Sequence, residues 1–443
     1  MPRVRPLTVR PVPSWGGVFE PPGDKSITHR AYLLGLLAHG ESRIERPNPG
    51  ADCEATLAAA GMLGARFARE ADAVRLSGRG DDRVEPAGVL DCGNSGTALR
   101  LLAGVLAGTP GLAVLDGDDS LRRRPVGRIV TPLRQMGAWL AARDADRRPP
   151  LVVRGGPLTG ITYTVPVASA QVQSCVLLAA LGANGRTEVA LPGAARDHTQ
   201  RMLPAYGVTP EVTVDGGGIR VAIEGPAALR GASLRVPGDF SAAAFFLAAA
   251  AAMPGARVTA RGVGLNPTRT GLLEVLEAMG AKVERAALGE AAGEPVGDVT
   301  VEGPAALSPF DVPVEWLPRL IDEVPAWTLA ASAARGTSRV TGARELRLKE
   351  SDRIAVLAAN LAALGVSAAE GADGLAVTGG PAGAGRVHSA GDHRIAMTFA
   401  LFGLRASGPV IVDDAATIDT SYPGFTGDLD ALAPGARMEE TSA

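Results

Sequence analysis

Gly23-Asp24-Lys25-Ser26-Ile27-Thr28-His29-Arg30 opens a stretch that continues Ala-Tyr-Leu-Leu-Gly-Leu-Leu-Ala-His and stops at Gly40. A polar string leads into a small, apolar, helix-like run that ends on Gly, as a helix C-terminus wants. The pattern returns from Gly93 (GNSGTALRLLAGVLAG), Ala168 (ASAQVQSCVLLAALGANG), Gly238 (GDFSAAAFFLAAAAAMPG), Ile321 (IDEVPAWTLAASAARG) and Gly391 (GDHRIAMTFALFGL). Successive starts lie 70, 75, 70, 83 and 70 residues apart. A second helix-like run follows each of the first five. These mostly close on one signature: Met62-Leu63-Gly64-Ala65, Met136-Gly137-Ala138, Tyr206-Gly207-Val208, Met279-Gly280-Ala281 and Leu364-Gly365-Val366. Strand-like alternation flanks them, as in Arg257-Val258-Thr259 and Lys282-Val283-Glu284. The chain therefore reads as six copies of a mixed β/α unit of ~70 residues, longer than the common solenoid periods.

The first helix of each copy is apolar nearly all round and should be buried. Its polar residues cluster at the N-terminal end, where unpaired N–H groups and the positive dipole end favour anions. The reading implies a phosphorylated or polyanionic small ligand, held by residues from several copies. Pro21-Pro22-Gly23 and Val236-Pro237-Gly238 are similar Pro-Gly joints. A hinge there divides the chain into a discontinuous domain, 1–21 with 239–443, and an inserted domain, 22–238, with three copies each. Arg285 to Asp298, rich in Gly and Glu, reads as a solvated hairpin loop within one copy.

At 443 residues the chain is long enough for two or three domains and a sizeable core. The 56 Gly and 33 Pro together make 89 residues, too few to suggest disorder. A net charge of −3 gives no argument for a nucleic-acid partner. Cys53, Cys92 and Cys175 are too few and scattered for a disulfide framework or a Cys-rich zinc site. The five histidines show no metal-ligand spacing, so no metal is expected. Met1 to Pro13 has no apolar signal region, and the longest apolar run, Phe240 to Met253, is shorter than the ~20 residues of a membrane span. A soluble cytoplasmic protein is expected. Of 44 Lys and Arg residues only Lys25, Lys282 and Lys349 are lysine, which leaves 41 arginines. Lys can titrate and act as a compact proton donor where Arg stays charged. Lys25 and Lys349, each in a dense polar string, stand out on that ground, whereas Lys282 does not.

Each polar string has a bland reading beside a chemical one. Lys25 and Arg30, one and a half turns apart, can bracket a ligand acid, while Ser26 alone can be an N-cap. The string lacks the glycine spacing of a phosphate-binding P-loop. Gly93-Asn94-Ser95-Gly96-Thr97 is not a nucleophile elbow, since the final Gly is missing. It reads as a turn for close backbone approach to an anion, or as a plain helix cap. Within Leu121-Arg122-Arg123-Arg124-Pro125 at least one arginine belongs in solvent, and another can fork onto a carboxylate or phosphate. Ile321-Asp322-Glu323 supplies either dipole partners and caps or a general base. Leu348-Lys349-Glu350-Ser351-Asp352-Arg353 can be helical ion pairing or part of a site.

In order along the chain, GDKSITHRA, GNSGTALR, RRRPVGR, ASAQVQS, RDHT, IDE, LRLKESDR and GDHRIAM are together specific. The chain resembles the 5-enolpyruvylshikimate-3-phosphate synthase (3-phosphoshikimate 1-carboxyvinyltransferase) family over nearly its whole length. The resemblance implies an α/β (α+β) fold: a two-domain inside-out α/β barrel of six βαβαββ-type repeats, three per domain, closing about a two-strand hinge. It implies transfer of the enolpyruvyl group of phosphoenolpyruvate to the 5-hydroxyl of shikimate 3-phosphate, with loss of phosphate. This is the step before chorismate formation in aromatic amino acid synthesis. No cofactor and no partner besides the two substrates are implied, and a monomer is expected.

Site roles follow from the same resemblance. Ser26 and Arg30 would hold the shikimate carboxylate. Ser169, Ala170 through its backbone, Gln171, Arg196 and Lys349 would surround shikimate 3-phosphate. Asn94, Gly96, Arg124, Gln171, Arg353 and Arg394 would bind phosphoenolpyruvate, and Lys25 would touch both substrates. Asp322 would accept the hydroxyl proton and Glu350 would protonate the methylene carbon. Two departures stand out. Thr417-Ile418-Asp419-Thr420-Ser421-Tyr422-Pro423 has no Lys where many members carry one near phosphoenolpyruvate. Ala170 stands where many have Ser. Gly96 is the small residue at which an Ala blocks the inhibitor glyphosate in some members, so sensitivity is expected. The sister family that uses UDP-N-acetylglucosamine carries a Cys on a mobile loop where this chain has RRRPVG.

Overall fold

The computed structural model describes residues 6–438. Six buried helices lie where the polar strings predict them: Lys25–Leu37, Gly96–Ala107, Ala170–Ala180, Phe240–Ala251, Val324–Ala333 and His393–Phe402. Every residue of Phe240–Ala251 is buried, as its unbroken apolar sequence requires.

The second helices are Ala51–Met62, Gly127–Gln135, His198–Met202 running on as a 3-10 turn Leu203–Tyr206, Gly271–Ala278 and Arg353–Ala363. The shared ending is one C-cap built five times. The Gly amide bonds back three residues, and the next amide (Ala65, Ala138, Val208, Ala281 or Val366) bonds back five. This is the Schellman arrangement, and each of these glycines has a positive φ. The sixth copy also has a second helix, Phe425–Leu432, which the sequence reading did not assign. It ends on Ala433-Pro434-Gly435, where Pro434 supplies no amide for the same cap.

Four of the sheets extend a parallel pair by two antiparallel strands; the sheet around Ala183–Leu191 has five strands, and Thr337–Val340, Gly374–Thr378 and Ser367–Gly371 form a three-stranded antiparallel one. The clearest of the four runs Leu90–Asp91, Gly111–Asp116, Arg148–Gly155, Trp139–Ala142, with the Gly96–Ala107 helix crossing between the parallel pair. Three sheets are completed by strands distant in sequence. Ser233–Arg235 pairs in parallel with Glu41–Glu45, and Gly16–Phe19 with Arg257–Gly264. Leu7–Val9 lies between Val410–Asp413 and Arg437–Met438.

The described residues form two compact units with separate cores. One holds the chain to Pro22, Gly238–Gly289 and the chain from Pro295; the other holds Gly23–Pro237 and Glu290–Glu294. Lys282–Ala291 and Glu294–Glu302 form the expected hairpin, and its first strand is almost wholly exposed; the departure from expectation is at its tip. Its tip packs with the second unit, and Glu294 is buried there.

In the second unit the Gly96–Ala107 helix packs on Lys25–Leu37 and on Ala170–Ala180. Gly104 permits the second contact, because a Cβ there would run into the Cys175 carbonyl. In the first unit Phe240–Ala251, Val324–Ala333 and His393–Phe402 pack against one another. No helix among the described residues is long and apolar enough to cross a membrane.

Candidate active site

In the second unit the helix starts converge through their side chains. Asp24, not Ser26, caps the Lys25–Leu37 helix: its carboxylate accepts from the Ile27 amide at 3.0 Å. The Ser26 hydroxyl is thus not the cap, and Lys25 stands at the first helical position. Lys25 Nζ lies 2.9 Å from Asp52 Oδ2, a buried acid in the first turn of the next helix. Arg30 is buried and donates to three acceptors: Nε to Thr199 Oγ1 at 2.8 Å, Nη1 to the Ser26 carbonyl at 2.8 Å and Nη2 to Ser174 Oγ at 2.7 Å.

The Asn94–Gly96 turn joins the same cluster. Ser95 caps its helix through the Ala98 amide and faces His29 Nε2 at 3.5 Å. His29 is fully buried, with Nδ1 2.7 Å from Thr56 Oγ1. Burial, then the charges of Lys25 and Arg30, hold its pKa well below the ordinary 6.5. Arg124 is the arginine of its cluster that turns inward: it is buried, and Nη2 donates to Asn94 Oδ1 at 2.7 Å. Arg122 pairs with Asp116 and Asp119 near the surface, and Arg123 is exposed.

Gly96 has a steric reason. A Cβ there would stand 2.7 Å from Arg100 Nη1 and 3.1 Å from Arg124 Nη1. Arg100 went unassigned in the sequence reading. It is buried, and it donates to the Gly96 carbonyl at 3.2 Å, the Pro125 carbonyl at 2.9 Å and Gln171 Oε1 at 2.7 Å. The signal was a lone Arg inside an apolar helix, a residue that is buried only when paired. Gln171 in turn donates to Thr97 Oγ1 at 3.0 Å, and Ser169 caps the helix that begins at Ala170. Arg196 is half-buried in the loop before His198–Met202, three residues ahead of the Thr199 that holds Arg30. Lys25, Ser26, Arg30, Asn94, Gly96, Arg124, Ser169, Ala170, Gln171 and Arg196 all lie in the second unit, where hydrogen bonds link Arg30 with Ser26, Arg124 with Asn94, and Arg100 with both Gly96 and Gln171.

The first unit gathers the others around one guanidinium. Arg353 is 1% exposed. It donates from Nε to Asp392 Oδ2 at 2.8 Å, from Nη2 to Asp392 Oδ1 at 3.3 Å and to Glu350 Oε2 at 2.6 Å, and from Nη1 to Asp322 Oδ1 at 3.3 Å. Burial opposes its charge, but Asp392, Glu350 and Asp322 outweigh burial and hold its pKa above the ordinary value. Lys349 Nζ lies 3.2 Å from the same Asp322 oxygen. Arg394 Nη1 donates to the Asp322 carbonyl at 3.0 Å.

At two strings the structure sets aside the bland alternative. Leu348–Arg353 is not a helical ion-pair ladder. A 3-10 turn ends at Leu348, Lys349 is extended, and the helix begins at Arg353, capped by Asp352. Nor does Asp322 or Glu323 cap the following helix. Glu323 makes no cap bond, and its fully buried carboxylate takes the Ser241 hydroxyl instead. Asp392, which the sequence reading quoted but assigned no role, is the anchor of the cluster and the cap of His393–Phe402.

Taken by itself, the second unit holds a cationic set suited to anions, and the first unit holds carboxylates suited to proton transfer. Among the described residues no three His, Cys, Asp or Glu side chains are grouped to hold a metal ion.

Comparison with known proteins gives the family. The family model for EPSP synthase (3-phosphoshikimate 1-carboxyvinyltransferase) matches residues 10–429. A 3-phosphoshikimate 1-carboxyvinyltransferase of Anaeromyxobacter sp. (strain K) is 50% identical over 430 residues, 97% of this chain and 96% of that protein. One from Thermus thermophilus is 49% identical over 414 residues, 93% and 95% of the two chains. The structure of EPSP synthase from Acinetobacter baumannii superposes with a TM-score of 0.84 at 40% identity, covering 96% of this chain and 98% of that one. The enolpyruvyl transferase NikO from Streptomyces tendae shares the fold, with a TM-score of 0.76 at 18% identity over 97% of this chain and 98% of that one. This chain belongs to the EPSP synthase (3-phosphoshikimate 1-carboxyvinyltransferase) family.

Proposed function

We propose that both sets of residues serve the reaction for which the family is named. The chain is a transferase of the shikimate pathway and moves the enolpyruvyl group of phosphoenolpyruvate to the 5-hydroxyl of shikimate 3-phosphate. The observation that carries the assignment is the sharing of Arg353 by Asp322 at 3.3 Å and Glu350 at 2.6 Å. One planar, buried cation fixes a proton acceptor and a proton donor relative to each other.

The mechanism follows from these positions. Arg30 and Ser26 hold the shikimate carboxylate. Ser169, the Ala170 backbone, Gln171, Arg196 and Lys349 hold the phosphorylated ring. Arg124, Arg353, Arg394, Gln171 and Asn94 hold phosphoenolpyruvate, with Gly96 leaving it room. Lys25 contacts both. Asp322 takes the proton of the 5-hydroxyl as its oxygen adds to C2 of phosphoenolpyruvate, and Glu350 delivers a proton to the methylene carbon. The tetrahedral adduct carries a carboxylate and a phosphate, which the arginines stabilise. Elimination reverses the carbon protonation: Glu350 recovers a methyl proton as phosphate leaves, and the vinyl ether remains. Two polyanions meet only where several cations offset their repulsion. No cofactor is needed for any of these steps, and we expect a cytoplasmic monomer.

The test is phosphate release from phosphoenolpyruvate with shikimate 3-phosphate, and separately with UDP-N-acetylglucosamine. Release with the first alone, abolished by Lys25→Met, is the expected result. Release with the nucleotide sugar, or none with either from folded protein, would overturn the assignment.

A further inference from the structure

Behind the Arg196 loop lies a buried pair with no part in the chemistry above. His198 Nδ1 stands 2.7 Å from Glu294 Oε1, with the side chains 2% and 1% exposed. Glu294 comes from the tip of the Lys282–Glu302 hairpin, 96 residues further along the chain. Arg201 adds a second tie: Nε donates to Asp197 Oδ2 at 2.7 Å and lies 4.0 Å from Glu294 Oε2, and Nη1 reaches the Gly293 carbonyl at 3.5 Å. Gly293 sits so close to the Arg201 carbonyl that a Cβ would collide with it. Residues 197–201 are thus clasped at both ends by one excursion of chain.

The clasped stretch carries what the ligand needs. Arg196 immediately precedes it. Thr199, next to His198, accepts from Arg30 Nε at 2.8 Å and donates to Ser174 at 2.7 Å. A buried ionisable pair adds little net stability over apolar packing, but its bonds fix direction and cannot slide as apolar contacts can. We propose that the His198–Glu294 clasp is a positioning device for the phosphorylated ring. It sets Arg196 and the Thr199–Arg30 bond in their binding geometry. This rests on the reading that Arg196 and Arg30 hold shikimate 3-phosphate.

Steady-state kinetics of Glu294→Gln, Glu294→Asp, Arg201→Ala and Arg196→Ala in the full chain test it, varying each substrate in turn. Glu294→Gln should raise KM for shikimate 3-phosphate roughly tenfold or more, with kcat and KM for phosphoenolpyruvate within about twofold. Arg201→Ala should move the same constant by less, and Glu294→Asp should restore part of the loss. An unchanged KM, or equal rises for both substrates, would overturn the proposal. If Glu294→Gln fails to fold by circular dichroism, Arg201→Ala decides by the same criterion. If Arg196→Ala leaves KM for shikimate 3-phosphate unchanged, the reading beneath the proposal falls and the proposal falls with it. If Arg196→Ala raises that KM and the clasp variants do not, only the clasp is wrong.

Discussion

Asp392 holds Arg353 by two nitrogens, Nε at 2.8 Å and Nη2 at 3.3 Å, while its Oδ1 accepts from the Arg394 amide at 3.0 Å. Two arginines assigned to phosphoenolpyruvate therefore depend on one fully buried carboxylate. Asp392→Asn keeps the shape but removes the charge and an acceptor. It should raise KM for phosphoenolpyruvate about tenfold or more and destabilise the fold by about 3 kcal/mol, the scale for breaking a buried pair. Thermal melting and kinetics with each substrate varied would check both. An unchanged KM for phosphoenolpyruvate would remove Asp392 from the binding machinery.

Gly96→Ala places a methyl group against Arg100 and Arg124. Side-chain ends can move, so the fold should survive, with a melting temperature close to that of the parent. KM for phosphoenolpyruvate should rise several-fold, and glyphosate inhibition should weaken by a larger factor. Inhibition curves for parent and variant are the measurement, and superimposable curves would sink the steric argument.

Lys25 is tied to Asp52 at 2.9 Å, so its ammonium is aimed before any ligand arrives. Lys25→Met should remove at least ~10³ of kcat/KM for phosphoenolpyruvate. Asp52→Asn, which removes this ion partner without deleting the ammonium, should lose an intermediate factor. Equal losses from the two variants would mean that Asp52 does more than aim Lys25.

His29 carries a pH signature. Its folded pKa lies well below the 6.5 of the unfolded chain, because burial and then Lys25 and Arg30 disfavour the cation. Below pH 6.5 the unfolded state binds a proton that the folded state refuses. This group's contribution is whole above pH 6.5 and is lost as pH falls from there toward the folded pKa. His29→Gln should therefore flatten the fall of melting temperature between about pH 6.5 and 5, whatever its effect at pH 8. A slope identical to that of the parent chain would mean that another group controls the acid limb.

Much of this was legible from local pattern. The six helix starts announce themselves as polar strings before apolar runs. The five Gly endings announce a cap whose geometry only a left-handed residue satisfies. Arg124 and the inward cations could be suspected from their strings. What escaped depends on partners far away in sequence. Arg100 reaches Gln171, 71 residues on, and Arg353 reaches Asp392, 39 residues on. Ser26 was the cap the string suggested, but the Ile27 amide bonds to Asp24, three residues before it. The hairpin tip looked solvated because its Gly and Glu residues are polar. Glu294 is nevertheless buried, because His198 awaits it.

The strand exchanges among the sheets also set an order for synthesis. Every sheet of the second unit has all its strands once Arg235 has been made, and only the Glu294 clasp comes later. Leu7–Val9 is made about 400 residues before its neighbours Val410–Asp413 and Arg437–Met438. At ~5–20 residues per second the roughly 200 residues between Arg235 and those partners take about ten to forty seconds to appear. Throughout that interval Leu7–Val9 lacks both of its sheet neighbours. An unpaired edge held open that long is the exposure that invites wrong pairing during synthesis.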